Sequence, residues 1–482
     1  MTDVEEGTAA GYCHRMDCPT IKTMITIKNI NSFLGFICLV CLWGCNGFLD
    51  EKPSISLAIP QTLEDFQALL DAEPSGMYRS PSLGLLSADD LVLGNALLQQ
   101  VSFAQRASYF WEDEVFLDGT SDVSWSAPYT KIFYANVVLD GLADYTPASA
   151  EEAERMAVLE ASAKFFRAMG HFEVLELYSQ PYDQGNPDQL GVPIRLTSDL
   201  NVKTDRATQR EVYEQIIEDL KSGLEILPVK EDRPVRPSVW ASEALLSKVY
   251  LTMKDYENTY LHAQKALEID DTLMDYNSLD PSSNYSFDLF NPEVIFYRQV
   301  SNSRVETNAN TFVNPDLLTL YDSADLRLEY FFKPARTEGM FTVRGRYTGD
   351  FYYFSGLAVD EVMLDMAEAA ARLGNTGEAV ELLNRLNENR YRTGSFIPLA
   401  EMEERELMEK VVEERRKELF CRGVRWSDLR RYNSYPELAV TLSREYNPER
   451  EEKAILQPGD PKYALPIPPL EIQYNPMVQN PR

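Results

Sequence analysis

The spacing of apolar positions is helical over most of the chain. Thr62-Leu-Glu-Asp-Phe-Gln-Ala-Leu-Leu opens a helix that Thr62 caps, with Glu64 and Asp65 at its positive end. From Tyr129, the run Ile132, Phe133, Ala135, Val138 and Leu139 reads as a second helix. A longer one is predicted from about Ala150 to Tyr178, where Phe165, Met169, Phe172 and Leu175 recur every three or four residues and form one buried stripe. Pro181 stops it. Further helices are expected at Thr208–Leu227, as a pair across Val239–Asp270, and at Val359–Leu373, Thr376–Arg390, Leu399–Cys421 and Ser427–Tyr432. Gly374 and Gly423 suit left-handed C-caps, and Ser427 suits an N-cap.

Two stretches break this rhythm. Residues 73–90 are loop-rich. Residues 271–356 gain Asn, Ser, Pro, Gly and aromatics, with Val294-Ile-Phe-Tyr-Arg expected as a strand and Tyr330-Phe-Phe as part of another. The last twenty residues are Pro-rich and expected to be extended, packing back over the helices as a strap. The pattern is therefore mainly α with an irregular, loop-rich insert at about 271–356.

The helices come in pairs. Leu246, Ser247 and Tyr250, followed by Thr259, Ala263 and Ala266, show the large-small-aromatic then small-small spacing of a tetratricopeptide pair. Met366, Ala367, Gly374, Ala379 and Leu383 repeat it, and the helices at 150–178 and 208–227 are expected to supply another unit.

Charge changes the picture of partners. Acidic residues number 76 and basic residues 46, a net charge of −30, which repels nucleic-acid phosphates and argues against a nucleic-acid role. Cys13, Cys18, Cys38, Cys41 and Cys45 lie in the first 45 residues and only Cys421 beyond them, so the body holds no internal disulfide.

The apolar run Phe33–Trp43 is 11 residues long, too short to span a bilayer, which takes about 20. Preceded by Lys22 and Lys28, it reads as the apolar core of a secretion leader. It ends in Leu-Trp-Gly-Cys, so Gly44-Cys45 reads as a lipoprotein processing site with Cys45 as the acylated residue. Asp3, Glu5, Glu6 and Asp17 are foreign to a leader, and initiation at Met24 is expected instead. The expected organisation is a leader at 1–44, a lipidated tether at 45–60 and one domain at 61–482.

Several segments, in order, resemble the SusD/RagB family of Bacteroidetes outer-membrane lipoproteins. They begin with Cys45-Asn-Gly-Phe-Leu-Asp-Glu-Lys-Pro, Asn136-Val-Val-Leu-Asp and Phe165-Phe-Arg-Ala. Val212-Tyr-Glu-Gln-Ile-Ile-Glu-Asp-Leu and Ala244-Leu-Leu-Ser-Lys-Val-Tyr-Leu follow. The C-terminal part is the most specific: Glu414-Arg-Arg-Lys-Glu-Leu, Gly423-Val-Arg-Trp-Ser-Asp-Leu-Arg-Arg and Tyr463-Ala-Leu-Pro-Ile-Pro-Pro-Leu-Glu-Ile. Glu414 and Glu418, one turn apart, are expected to pair with Arg425, Arg430 or Arg431 on the next helix, in a structural role.

The resemblance implies tetratricopeptide-like helix pairs with a less regular ligand-facing region. It also implies a lipid-anchored protein on the outer face of the outer membrane. There it captures an oligosaccharide or peptide and acts as the lid of a SusC-like TonB-dependent transporter. The rival expectations are a helical scaffold that binds only proteins, and a surface hydrolase. Catalysis has little to stand on: the three histidines, His14, His171 and His262, lie apart in sequence, and no phosphate loop, nucleotide fingerprint, metal motif or nucleophile elbow occurs. No cofactor or metal is expected.

Ligand capture calls for exposed aromatics beside hydrogen-bonding groups. By the resemblance these come from the N-terminal loops and the insert, and the candidates are Tyr78, Asp89, Asp90, Trp111, Trp125, Tyr285, Phe287, Tyr347, Tyr352 and Tyr353.

Overall fold

In the computed structural model, ten helices of eight or more residues are found among the described residues, which are 60–72, 76–300, 304–345, 347–447 and 452–482. The leader, Cys45 and the tether up to residue 59 lie outside them. Helix α1 (Leu63–Leu70) starts at a capping box in which Thr62 and Asp65 satisfy each other's backbone amides. α2 (Val123–Ala143) starts six residues before Tyr129, because Asp122 caps it and Pro128 is tolerated inside the helix. α3 (Ala150–Tyr178) matches its expected span. α4 (Gln209–Lys221) opens on a Thr208–Glu211 capping box.

The remaining helices complete the pairs: α5 (Val239–Thr252) with α6 (Tyr256–Ile269), α7 (Val359–Arg372) with α8 (Thr376–Glu388), then α9 (Glu404–Glu418) and α10 (Arg425–Tyr432). Consecutive helices from α1 to α9 pack on one another, and α7 contacts α5, α6, α8 and α9. The small residues do what their spacing implied. Ser247, Thr259, Ala263, Ala266, Ala367 and Ala379 are all fully buried between helices. Tyr250 fills the groove and stacks on His262 at 5.3 Å. His262 in turn meets Glu243 at 2.5 Å, a buried pair within the α5–α6 interface.

Three local expectations are corrected. α10 begins at Arg425, so Ser427 lies inside the helix and does not cap it. α9 ends at Glu418, and Gly423 turns the chain with φ +79 within the α9–α10 link, while Gly374 (φ +83) does follow a helix end. The C-terminal segment does pack back, with Asn480 donating to the Tyr178 carbonyl at 2.7 Å, but it holds a short helix at Pro469–Tyr474 and is not extended throughout.

Between Ile269 and Val359 no described helix exceeds five residues. The segment is stitched to the rest by two-residue and three-residue strand pairings. Arg79–Ser80 runs parallel to Gln299–Val300, Leu91–Leu93 pairs with Thr311–Val313, and Val294–Phe296 pairs with Leu357–Ala358, which leads into α7.

Buried charge ties the insert to the helices, and not in the way expected. Glu414 and Glu418 do not meet α10. Both pair with Arg327, with Arg327 Nη1 2.6 Å from Glu418, and Glu418 also accepts from Arg390 at 2.7 Å. Arg390 reaches on to Glu293 at 2.9 Å. The α10 arginines have other partners: Arg425 grips Asp89 (2.7 Å), and Arg431 takes Asp428 (3.0 Å) and Glu368 (2.6 Å). The family-like acids therefore clamp the insert, and the family-like arginines clamp the N-terminal loops and α7.

A half-exposed aromatic arc and a separate cleft

The parallel pairing of Arg79–Ser80 with Gln299–Val300 brings an N-terminal loop against the insert. Tyr297 and Gln299 stand side by side at the end of this pairing. Tyr297 and the Gln299 amide lie 3.0 Å apart there. With the amide turned so that its oxygen faces Arg79, it accepts from both terminal guanidinium nitrogens at 2.7 and 3.0 Å. That guanidinium lies 5.0 Å from the Tyr352 ring centre, and Tyr352 lies 4.2 Å from the Phe351 ring. At the other end, Phe290, held at φ 58, meets Tyr297 edge-on at 5.4 Å. Phe290, Tyr297, Arg79, Tyr352 and Phe351 thus form a continuous arc of half-buried side chains.

The floor beneath the arc is rigid. The Arg79 carbonyl accepts from Arg298 (2.9 Å) and Lys131 (3.3 Å), and Lys131 pairs with Glu173 at 2.7 Å. Ser80 and Ser355 share a 2.6 Å hydrogen bond. Burial pulls the Arg298 guanidinium down to about 9 and the Lys131 ammonium well below its usual range. Groups held this firmly position the arc before any ligand arrives.

A second feature lies on another face of α2. A cleft of about 830 Å³ opens between α2, the 193–204 loop and the Pro469–Tyr474 turn, and Trp125, Tyr129, Phe133 and Tyr474 line it. The 193–204 loop is fixed by Asn136, which donates to the Arg195 carbonyl at 3.0 Å, and by His171, which accepts the Arg195 amide at 3.1 Å. His171 is fully buried, and desolvation lowers it to about 3.

Two family models match the sequence: one for SusD-like proteins, described as starch-binding and associating with the outer membrane, over residues 47–251, and the SusD family model over residues 359–482. The chain belongs to the SusD/RagB family. A SusD-like protein P2 of Formosa agariphila is 24% identical across 91% of this chain and 96% of its own. A SusD-like protein of Bacteroides ovatus is 26% identical over 183 residues, 36% of this chain and 31% of that protein. Among solved structures, a SusD superfamily protein of Bacteroides thetaiotaomicron aligns with TM-score 0.70 at 23% identity, covering 87% of this chain and 100% of that one. A laminarin-binding SusD-like protein aligns with TM-score 0.63 at 20% identity, covering 87% and 99%. At these identities the structural likeness establishes the shared SusD fold, a mainly helical tetratricopeptide-like architecture.

The SusD-like chain brings together only part of the residue set expected from sequence. Tyr352 joins the arc, Tyr78 precedes Arg79 with its carbonyl accepting the Gln299 backbone amide at 3.0 Å, Trp125 reaches the cleft although it is buried and not exposed as expected, and Tyr285 is exposed. The expectation that the other aromatics face solvent is corrected. Trp111 sits at φ 54 after a short helix and turns inward, donating to the Ser87 carbonyl at 3.0 Å beneath the Arg444 guanidinium. Phe287, Tyr347 and Tyr353 are buried core residues, with Phe287 and Tyr347 in ring contact at 5.1 Å and the Tyr347 hydroxyl donating to Glu293. Asp89 is engaged by Arg425 and Arg416, whose charges hold its carboxyl below the usual range against the opposing effect of burial. Asp90 is buried and accepts the Cys421 amide at 3.2 Å.

Sequence reasoning missed Arg79, Phe290, Tyr297, Gln299 and Phe351. The doublet Phe351-Tyr352 beside Tyr353 was the available signal; the bend at residues 351–352 leaves those two rings half-buried while Tyr353 is buried. Among the described residues no helix is long and apolar enough to cross a membrane.

Proposed function

We propose that this SusD-like protein captures a glycan on the aromatic arc. The arc is the observation that carries the reading. Sugar rings present apolar faces that lie on aromatic rings, and neighbouring hydrogen-bonding groups set their orientation. Tyr297, Tyr352 and Phe351 offer such faces, and Arg79, held in place by the buried Gln299 amide, offers the polar edge between them. Support comes also from the laminarin-binding neighbour and from a SusD-like carbohydrate-binding protein of Bacteroides vulgatus with TM-score 0.66 at 18% identity.

In this proposal Cys45 carries the lipid that anchors the chain to the outer face of the outer membrane. The bound glycan passes to a SusC-like TonB-dependent barrel, for which the protein is the lid. It works as a binding protein and not as an enzyme. A −30 chain favours neutral or cationic ligands over polyanions, other things being equal.

Isothermal titration against a panel of neutral oligosaccharides, including β-glucans, tests the capture step. Tyr352→Ala and Tyr297→Ala are each expected to weaken the best ligand about tenfold, at roughly 1–1.5 kcal/mol per lost ring face, with an unchanged melting temperature. Binding of peptides and of no glycan would overturn the ligand class. Gentle solubilisation of the native outer membrane is expected to bring down a TonB-dependent barrel in near-equal amount.

A further inference from the structure

The buried charges that clamp the insert do not balance. Arg327, Arg390 and Lys417 form one network of ion pairs with Asp325, Glu414, Glu418 and Glu293. Four carboxylates therefore face three cations, and among the described residues no further ion pair leaves the set. Arg422 and Asp360 lie beside it as a matched pair at 3.0 Å, and all of these side chains are buried. A sealed cluster with one negative charge to spare is costly until something neutralises it.

The surplus gathers at one point. An oxygen from each of Glu293, Asp360 and Glu418 lies within 4.8 Å of the others. Glu293 is faced by Arg390 from the end of α8, by Asp360 of α7 with its partner Arg422, and by Glu418 of α9. From the insert, the Tyr347 hydroxyl donates to it. The Tyr276 hydroxyl, fully buried and without a hydrogen-bond partner, senses the charge of all three carboxylates. Burial above all, together with the charges of Asp360 and Glu418, raises the Glu293 carboxyl to about 7 against the pull of Arg390.

Position gives that proton a consequence. The Glu293 carboxylate accepts the Met274 amide at 2.7 Å, near the start of the insert, and its carbonyl accepts the Val359 amide at 2.9 Å, where α7 begins. The next residues, Val294–Phe296, pair with Leu357–Ala358, and Tyr297 and Gln299 of the arc follow.

We infer that the insert docks with one proton held among Glu293, Asp360 and Glu418, so that docking is firmest in acid and loosens as that proton leaves. A further consequence, weaker ligand binding in alkali, rests on the glycan-capture reading; the proton linkage of the insert does not. An opened insert exposes Glu293 to water, where it ionises near 4.5. The added stability is complete below about 4.5 and is lost as pH rises through about 7.

Hydrogen exchange of the Val294–Phe296 amides, read by mass spectrometry on the full chain from residue 46, is compared between parent and Glu293→Gln at pH 5 and pH 8. Taking the ratio at each pH cancels the intrinsic pH dependence of exchange and the titration of carboxyls elsewhere. The parent-to-variant rate ratio is expected to rise at least about tenfold from pH 5 to pH 8. Asp360→Asn removes the spare charge at another position and is expected to shift the same way, which carries the test even where Glu293→Gln fails to fold. Ratios that stay flat overturn the proton. Flat ratios with a calcium-dependent melting temperature that Glu293→Gln abolishes replace it by a metal ion. Titration of the best neutral glycan at the same two pH values reads the arc: relative to Glu293→Gln, the parent is expected to bind at least about threefold more weakly at pH 8 than at pH 5. Equal affinities with a rising exchange ratio overturn the link to the arc alone. A rising ratio with no glycan bound at either pH strikes capture on the arc and leaves the proton linkage standing.

Discussion

Asp90 is enclosed by protein beside Asp89, and burial together with that neighbouring charge raises its carboxyl to about 6. The folded protein therefore holds this proton more tightly than the unfolded chain, whose value is near 3.8. The resulting stabilisation is complete below the unfolded value and is lost as pH rises through about 6. Asp90→Asn keeps an acceptor for the Cys421 amide and removes the charge. It is expected to exceed the parent in stability by roughly 2–3 kcal/mol near pH 8 and to match it near pH 4. Urea unfolding at a series of pH values measures the difference; a gap that fails to widen with pH would refute the assignment. Glu414 and Glu418 show why such residues resist sequence reading. Their structural role followed from the residues themselves, but their partners Arg327 and Arg390 come from the insert and from the end of α8. No periodicity relates those positions.

Helices were legible because their evidence is local. Capping residues, prolines and three-to-four spacing all lie within one turn of the boundary they set, so α3, α7 and α8 fall within two residues of their expected ends. The errors arose where a boundary depends on contacts with other elements, as at Ser427 in α10. Strand pairings of two or three residues left almost no pattern to read. Two glycines separate local from tertiary constraint. A Cβ on Gly356 would come within 2.0 Å of the Phe296 carbonyl oxygen across the strand pairing, whereas one on Gly374 meets nothing within 4 Å and faces only its φ of +83. Gly356→Ala is expected to cost at least about 3 kcal/mol by forcing the backbones apart. Gly374→Ala is expected to cost about 1–2 kcal/mol from the left-handed conformation alone. Denaturant midpoints for the two variants check the order, and equal effects would contradict it.

At the scale of the whole molecule, the arc is assembled from residues 79, 290, 297–299 and 351–352, which lie far apart in sequence. Composition announced a supply of aromatics, and the family resemblance directed attention to the N-terminal loops and the insert, from which the proposed arc is built. Only the fold decides that Tyr352 faces out while Tyr353, one residue on, is buried. The same fold closes the turn after α9 over Asp90, with Cys421 held there at φ 57 and its side chain buried. Cys421 is the single cysteine beyond Cys45, so a chain that begins at residue 46 has one thiol, at the junction of the N-terminal loops, the insert and the last two helices. Alkylation of that thiol becomes a clock for the junction. A labelling rate slowed by roughly a thousandfold or more relative to the unfolded chain would mean that this joint parts only when the whole molecule does. Faster labelling, with the melting curve unchanged, would show a local breathing motion beneath the arc.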